Sequence, residues 1–135
     1  MRAQSSSFSF PKSEHLKSLK LIDQLFEKGK SLNKFPFKLL WMVVAPEEKF
    51  PVKVAFAVSS RKIKLAVKRN RMKRIMRESY RLNKNELMDS CIKNQISLAI
   101  VIMYNGNDLI SYSETKEKII LLLHRLTTLH ESAAE

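Results

Sequence analysis

Between Leu65 and Lys84 the chain reads LAVKRNRMKRIMRESYRLNK, with eight lysines and arginines against a single acid, Glu78. So many like charges cannot be buried together, because each cation taken out of water needs a partner. Wound at about 3.6 residues per turn, the segment separates into two sides. With Leu65 as origin, Met72, Ile75, Met76, Ser79 and Leu82 gather on one side, and Asn70, Lys73, Arg74, Arg77, Arg81 and Lys84 on the other. Arg71 borders the cationic stripe, and Lys68 and Arg69 border the apolar one. The segment therefore has to be a surface helix, greasy toward a core and cationic toward solvent. Like charges at i,i+4 repel by a few tenths of a kcal/mol per pair, and a row of phosphates turns that repulsion into attraction. Guanidinium forks match phosphate oxygens two at a time. Asn70, inside the stripe, adds an amide that both donates and accepts.

The rest of the composition points the same way. The 135 residues carry a formal charge of +12, a self-repulsion usually offset by a polyanionic partner. Length and a 44% apolar content fit a single folded domain over residues 1–135, with low order expected at 1–6 and 131–135. Cys91 is the lone cysteine, which leaves no internal disulfide and fits a reduced, cytoplasmic setting. It reads as a small apolar filler. The opening MRAQSSSFSF lacks the apolar core of a signal peptide, and the longest apolar run, Ile96 to Met103, is too short to span a bilayer.

Periodicity supplies the elements. SFSFP alternates as a short strand closed by Pro11, and Ser13 and Ser18 are candidate helix caps. Leu19, Ile22 and Phe26 share a helical stripe that Gly29 ends as a C′ residue would. Phe35 to Val44 is rich in strand formers. In Pro51 to Ser59, Val52, Val54, Phe56 and Val58 face one way, and Lys53, Ala55 and Ala57 the other. The break APEEKF predicts that these two strands pair as antiparallel neighbours. The basic helix follows, then the strand ISLAIVIMY, the turn NGND, and an amphipathic helix from Ser113 to Leu129. The order β–α–β–β–α–β–α places the chain in the α+β class. Ala55 and Ala57 leave room for a groove on one sheet face.

No catalytic constellation emerges. His15, His124 and His130 lack metal-ligand spacing with Cys91 or a carboxylate pair, and His124 and His130 read as surface positions. There is no Gly-rich phosphate loop, and the acids are dispersed. Among the aromatics Phe8, Phe10, Phe26, Phe35, Phe37 and Trp41, most read as core, with a few free to stack on single-stranded bases. Composition alone leaves several partners open. A ribosomal-type or structural RNA-binding protein would carry the same charge. A DNA-binding regulator is disfavoured, since no second helix is spaced for a helix-turn-helix. Membrane binding is disfavoured because the apolar side of the basic helix looks like a core face.

The run Arg69-Asn70-Arg71-Met72-Lys73-Arg74-Ile75-Met76-Arg77-Glu78 resembles, residue by residue, the signature of the bacterial ribonuclease P protein family. LIDQLFEKG is similar to that family's first helix and its closing glycine, VAFAVSSRK to the strand before the basic helix, and SLAIVIM to the strand after it. The resemblance implies a small two-layer α/β sandwich: a four-stranded sheet packed by about three helices, with a left-handed βαβ crossover through the basic helix. It implies a protein without catalytic residues that binds a catalytic RNA, whose Mg²⁺ ions are held mainly by the RNA and not by the protein alone. The assembly removes the 5′ leader of precursor tRNA. By position the RNA-docking set is Arg61, Lys62, Lys64, Lys68, Arg69, Asn70, Arg71, Lys73, Arg74, Arg77 and Arg81. A cleft for the single-stranded leader involves Ile22, Phe26, Lys38 and Leu40. Three positions depart from the family pattern: Ser60 where lysine is common, Leu65 where a basic or polar residue is common, and Ile22 where an aromatic is frequent.

Overall fold

The computed structural model describes residue 10, residues 14–45 and residues 51–134, with side chains through residue 130. Eight elements follow one another: α1 (Leu19–Lys28), β1 (Lys30–Lys34), β2 (Phe37–Val44), β3 (Val52–Val58), α2 (Ala66–Asn83), α3 (Asn85–Asn94), β4 (Ser97–Tyr104) and α4 (Tyr112–Ala134). Of the strand expected at SFSFP only Phe10 is described, outside any strand; the cap expected at Ser13, Phe8 and the terminal stretch 1–6 lie outside the described residues.

The sheet order is β1-β2-β4-β3. This corrects the expected pairing of β2 with β3: β4 lies between them, antiparallel to β2 and parallel to β3. The reason is burial. Seven of the eight residues of β4 are buried, and a strand apolar on both sides belongs at the centre of a sheet. The half-exposed β3 takes an edge. Chain from β3 to its parallel neighbour β4 crosses through α2 and α3. The other edge, β1, was not anticipated. KSLNK has no strand signature. It pairs because a two-residue turn at Phe35-Pro36 folds it onto β2 in register, Lys34 against Phe37, and its lysines suit an exposed edge.

Two apolar clusters occupy the two faces. On one, Met72, Met76 and Tyr80 of α2, Leu87 and Cys91 of α3, and Ile119, Leu122, Leu123 and Leu126 of α4 pack on Leu39, Trp41, Val54, Ile100 and Ile102. On the other, Leu25 of α1 packs with Leu16, Leu40, Ala99 and Val101. The α+β class stands, with four helices where about three were expected. Helix α3 escaped detection because neither Gly nor Pro separates it from α2. Its far end is closed by Gln95 in the left-handed conformation, φ 55°. Helix α1 begins as expected, the Ser18 hydroxyl accepting from the Leu21 amide at 3.2 Å. Gly29 closes it differently from the expected left-handed cap. It is extended (φ −64°, ψ 149°), and its amide donates to the Leu25 carbonyl. A side chain there would bring Cβ to 2.5 Å from that oxygen, so glycine is demanded by crowding.

Lys84 is the main departure in the basic segment. It was expected on the cationic stripe, yet it is only 1% exposed. The residue joins α2 to α3, and its Nζ lies 2.5 Å from Oε1 of the buried Glu14 and 5.6 Å above the Phe10 ring. A partner 70 residues away in sequence overrides the helical wheel. The apolar stripe is corrected at the same end: Tyr80 is fully buried, whereas Leu82 is 38% exposed. Burial pushes the Tyr80 phenol far above its ordinary pKa, with Glu14 and Cys91 adding to the effect.

Breaking a buried ion pair from one side strands the remaining charge. Glu14→Gln is therefore expected to lower the unfolding free energy by about 3–5 kcal/mol, and Glu14→Leu with Lys84→Met to recover most of it. Urea unfolding followed by circular dichroism measures both, and a loss under about 1 kcal/mol for Glu14→Gln contradicts the pairing.

Candidate nucleic-acid interface

Helix α2 is 18 residues long, about 27 Å at 1.5 Å per residue. Its inner side is fixed on β3 and α4, so its outer side is a rigid platform. Arg71 and Arg74 are exposed, and Lys73 and Arg77 half-exposed. Among the described residues, none of these four has a carboxylate within ion-pair distance. Asn70 is exposed between them. The spacing of Arg71, Arg74 and Arg77 puts three guanidinium groups along one flank of the helix.

The other cations expected at the interface are spent in part on the protein itself. Arg81 donates through Nε to Glu78 Oε1 at 3.0 Å and also through Nη2, so the one acid of α2 is matched locally. The Arg69 Nη1 donates to the carbonyls of Ile63 and Lys64, both at 2.8 Å, and clamps the turn that enters α2. Lys62 Nζ donates to the Asn105 carbonyl at 2.8 Å, and Lys68 Nζ reaches Asp108 Oδ1 at 3.3 Å. The Leu109 amide, first, and Lys68, second, hold the Asp108 carboxyl below the usual carboxylate range. Arg61 and Lys64 stand exposed in the turn. The loop after β4 is fixed as well: the Tyr104 hydroxyl donates to the Asp108 carbonyl at 2.5 Å, and a Cβ on Gly106 would collide with the Tyr104 ring.

The second sheet face carries the cleft residues. Ile22 and Leu40 meet in one apolar cluster together with Ala55, Ala57 and Met103. Lys38 lies two residues before Leu40 on the same side of β2 and is half-buried. Phe26 stands on α1 at 54% exposure. At the far end of this face a cavity of about 270 Å³ opens between Leu16, Leu21, Val44, Lys53 and Ala99. The small residues Ser97 and Ala99 of β4 line it and leave this room.

One feature was not legible in sequence. His130, expected at the surface, is fully buried, with Nε2 3.9 Å from the Cys91 Sγ. His124 is exposed beside Glu86. Among the described residues, no three His, Cys, Asp or Glu side chains gather so as to hold a metal ion, and no helix is long and apolar enough to cross a membrane.

Comparison with known proteins agrees on one family. The family model described as Ribonuclease P matches residues 10–127. A protein of Chlorobium phaeobacteroides named ribonuclease P protein component is 34% identical over 128 residues, covering 87% of this chain and 88% of that one. One of the same name from Porphyromonas gingivalis is 32% identical over 104 residues, covering 77% and 76%. Among solved structures, the RNase P protein of Thermotoga maritima superposes with a TM-score of 0.64 at 25% identity, covering 83% of this chain and 96% of that one. That of Staphylococcus aureus gives 0.64 at 16% identity, over 85% and 96%, a likeness of fold.

The difference between paired and unpaired arginines is measurable. Arg74→Ala with Arg77→Ala is expected to reduce the slope of log K against log salt for RNA binding by about one unit per lost phosphate contact. Arg81→Ala, whose charge is already matched by Glu78, is expected to reduce it by well under half a unit. Equal slope changes for Arg74→Ala and Arg81→Ala contradict this assignment.

Proposed function

The chain belongs to the ribonuclease P protein family, and from that premise we propose that it docks a catalytic RNA along α2 and holds the 5′ leader of precursor tRNA on the opposite sheet face. The observation that carries this reading is the outward row of Arg71, Arg74 and Arg77 on a helix whose inner side is locked in the core. A folded RNA repels itself through its phosphates. A compact cationic body displaces condensed counterions and lowers that repulsion. The docking set is Arg61, Lys62, Lys64, Lys68, Arg69, Asn70, Arg71, Lys73, Arg74, Arg77 and Arg81. Within it, Arg71, Lys73, Arg74 and Arg77 carry the phosphate contacts, while Arg69 and Lys62 hold the turn that aims them.

The cleft formed by Ile22, Phe26, Lys38 and Leu40 receives the leader. Its apolar floor accepts base faces, and Lys38 meets a phosphate. Cleavage itself belongs to the RNA subunit. Mg²⁺ held mainly by that RNA supplies charge neutralisation and an activated water. The assembly works in the cytoplasm.

The purified chain is expected to leave precursor tRNA uncut on its own and to restore cutting by its cognate RNA at low Mg²⁺. Initial rates of leader removal, with and without the chain, test this. Equal rates at low Mg²⁺ contradict the proposal.

A further inference from the structure

Phe35 has no role in the core, the helix rail or the cleft. It forms the tip of the β1–β2 turn and is 77% exposed, while its neighbour Phe37 is buried against Tyr104 at a ring-centroid distance of 5.1 Å. Two-residue hairpin turns favour Asn, Asp and Gly, so turn chemistry does not call for a bulky ring. Nor is the tip loose. The Asn105 amide donates to the Pro36 carbonyl at 2.8 Å, and the Asn105 carbonyl accepts from Lys62 Nζ at 2.8 Å. Two hydrogen bonds thus connect the turn carrying Phe35 to the basic turn at the entry of α2.

We propose that Phe35 is a second RNA contact, outside the leader cleft, whose ring stacks on an unpaired base of the RNA docked along α2. An aromatic face presented rigidly to solvent beside a track of cations is the arrangement that binds single-stranded bases, the ring taking the base and the cations the flanking phosphates. Lys34 precedes the ring in sequence, and Arg61 and Lys62 stand in the turn it is tied to. The same cations disfavour a second copy of this chain, which carries +12, as the occupant. The inference rests on the RNA-binding reading above and adds to it a site of base recognition.

The test uses the full chain and its cognate RNA. Phe35→Ala is expected to weaken binding about 5- to 150-fold, the effect of losing one stacked base. The salt slope should stay unchanged, because no phosphate contact is lost. Phe35→Trp is expected to retain affinity, and the fluorescence of the introduced indole to be quenched when RNA binds. The native Trp41, 3% exposed, supplies a constant background. Unchanged affinity in Phe35→Ala, or an unquenched indole in the bound complex, overturns the proposal and leaves the functional reading intact. So does a change in self-association by sedimentation with RNA affinity unaltered, which assigns the tip to a protein contact. If the unmodified chain binds its RNA without salt dependence, the functional reading falls and this inference with it.

Discussion

The structure depends on the packing of one side of α2. Met72, Met76 and Tyr80 are fully buried against the sheet and α4, and this fixes which side of the helix faces water. Each end is then secured by a cation turned inward. At the start, Arg69 grips the Ile63 and Lys64 carbonyls. At the end, Lys84 is buried against Glu14. The helix so held cannot roll its cations inward, so Arg71, Arg74 and Arg77 keep their places on the outer side. Their mutual repulsion is retained in the free protein and relieved by a polyanion.

The two faces of the sheet are built differently. Large side chains of β4, Leu98, Ile100, Ile102 and Tyr104, support the helical layer. Its alternate residues, Ala99, Val101 and Met103, with Ala55 and Ala57 of β3, form a shallower surface under α1. Period-two alternation in a central strand thus separates a dense core from an open groove. The far end of the sheet gathers the Phe35-Pro36 turn, the loop at Asn105 to Asp108 and the turn at Arg61 to Lys64, joined by the hydrogen bonds of Asn105 and Lys62. Every segment carrying exposed cations near the start of α2 is therefore tied to the sheet, and the interface is preorganised.

Much of this was legible in the residues. The period of Met72, Met76 and Ser79 gave the buried side of α2, and the alternation of β3 gave its two faces. The ten-residue run Arg69–Glu78 gave the family. What the sequence hid is tertiary. Strand order could not be read from connection length, because β4 enters between β2 and β3 only when its two apolar faces have layers to cover them. Strand β1 has no propensity of its own and exists through pairing. Lys84 looked like a solvated cation because Glu14 is remote in sequence, and His130 looked exposed because Cys91 is on another helix. The motif singled out Arg69 and Arg81, but their partners, the Ile63 and Lys64 carbonyls and the Glu78 carboxylate, were visible only in the fold.

Lysine modification read by mass spectrometry, with and without cognate RNA, tests most directly whether the outer side of α2 is the docking surface. Lys64, Lys68 and Lys73 are expected to react in the free chain and to be protected in the complex. Lys93 and Lys116, on α3 and α4, should react alike in both, and Lys84 in neither. Protection of Lys93 and Lys116 with Lys68 and Lys73 left reactive would contradict the account.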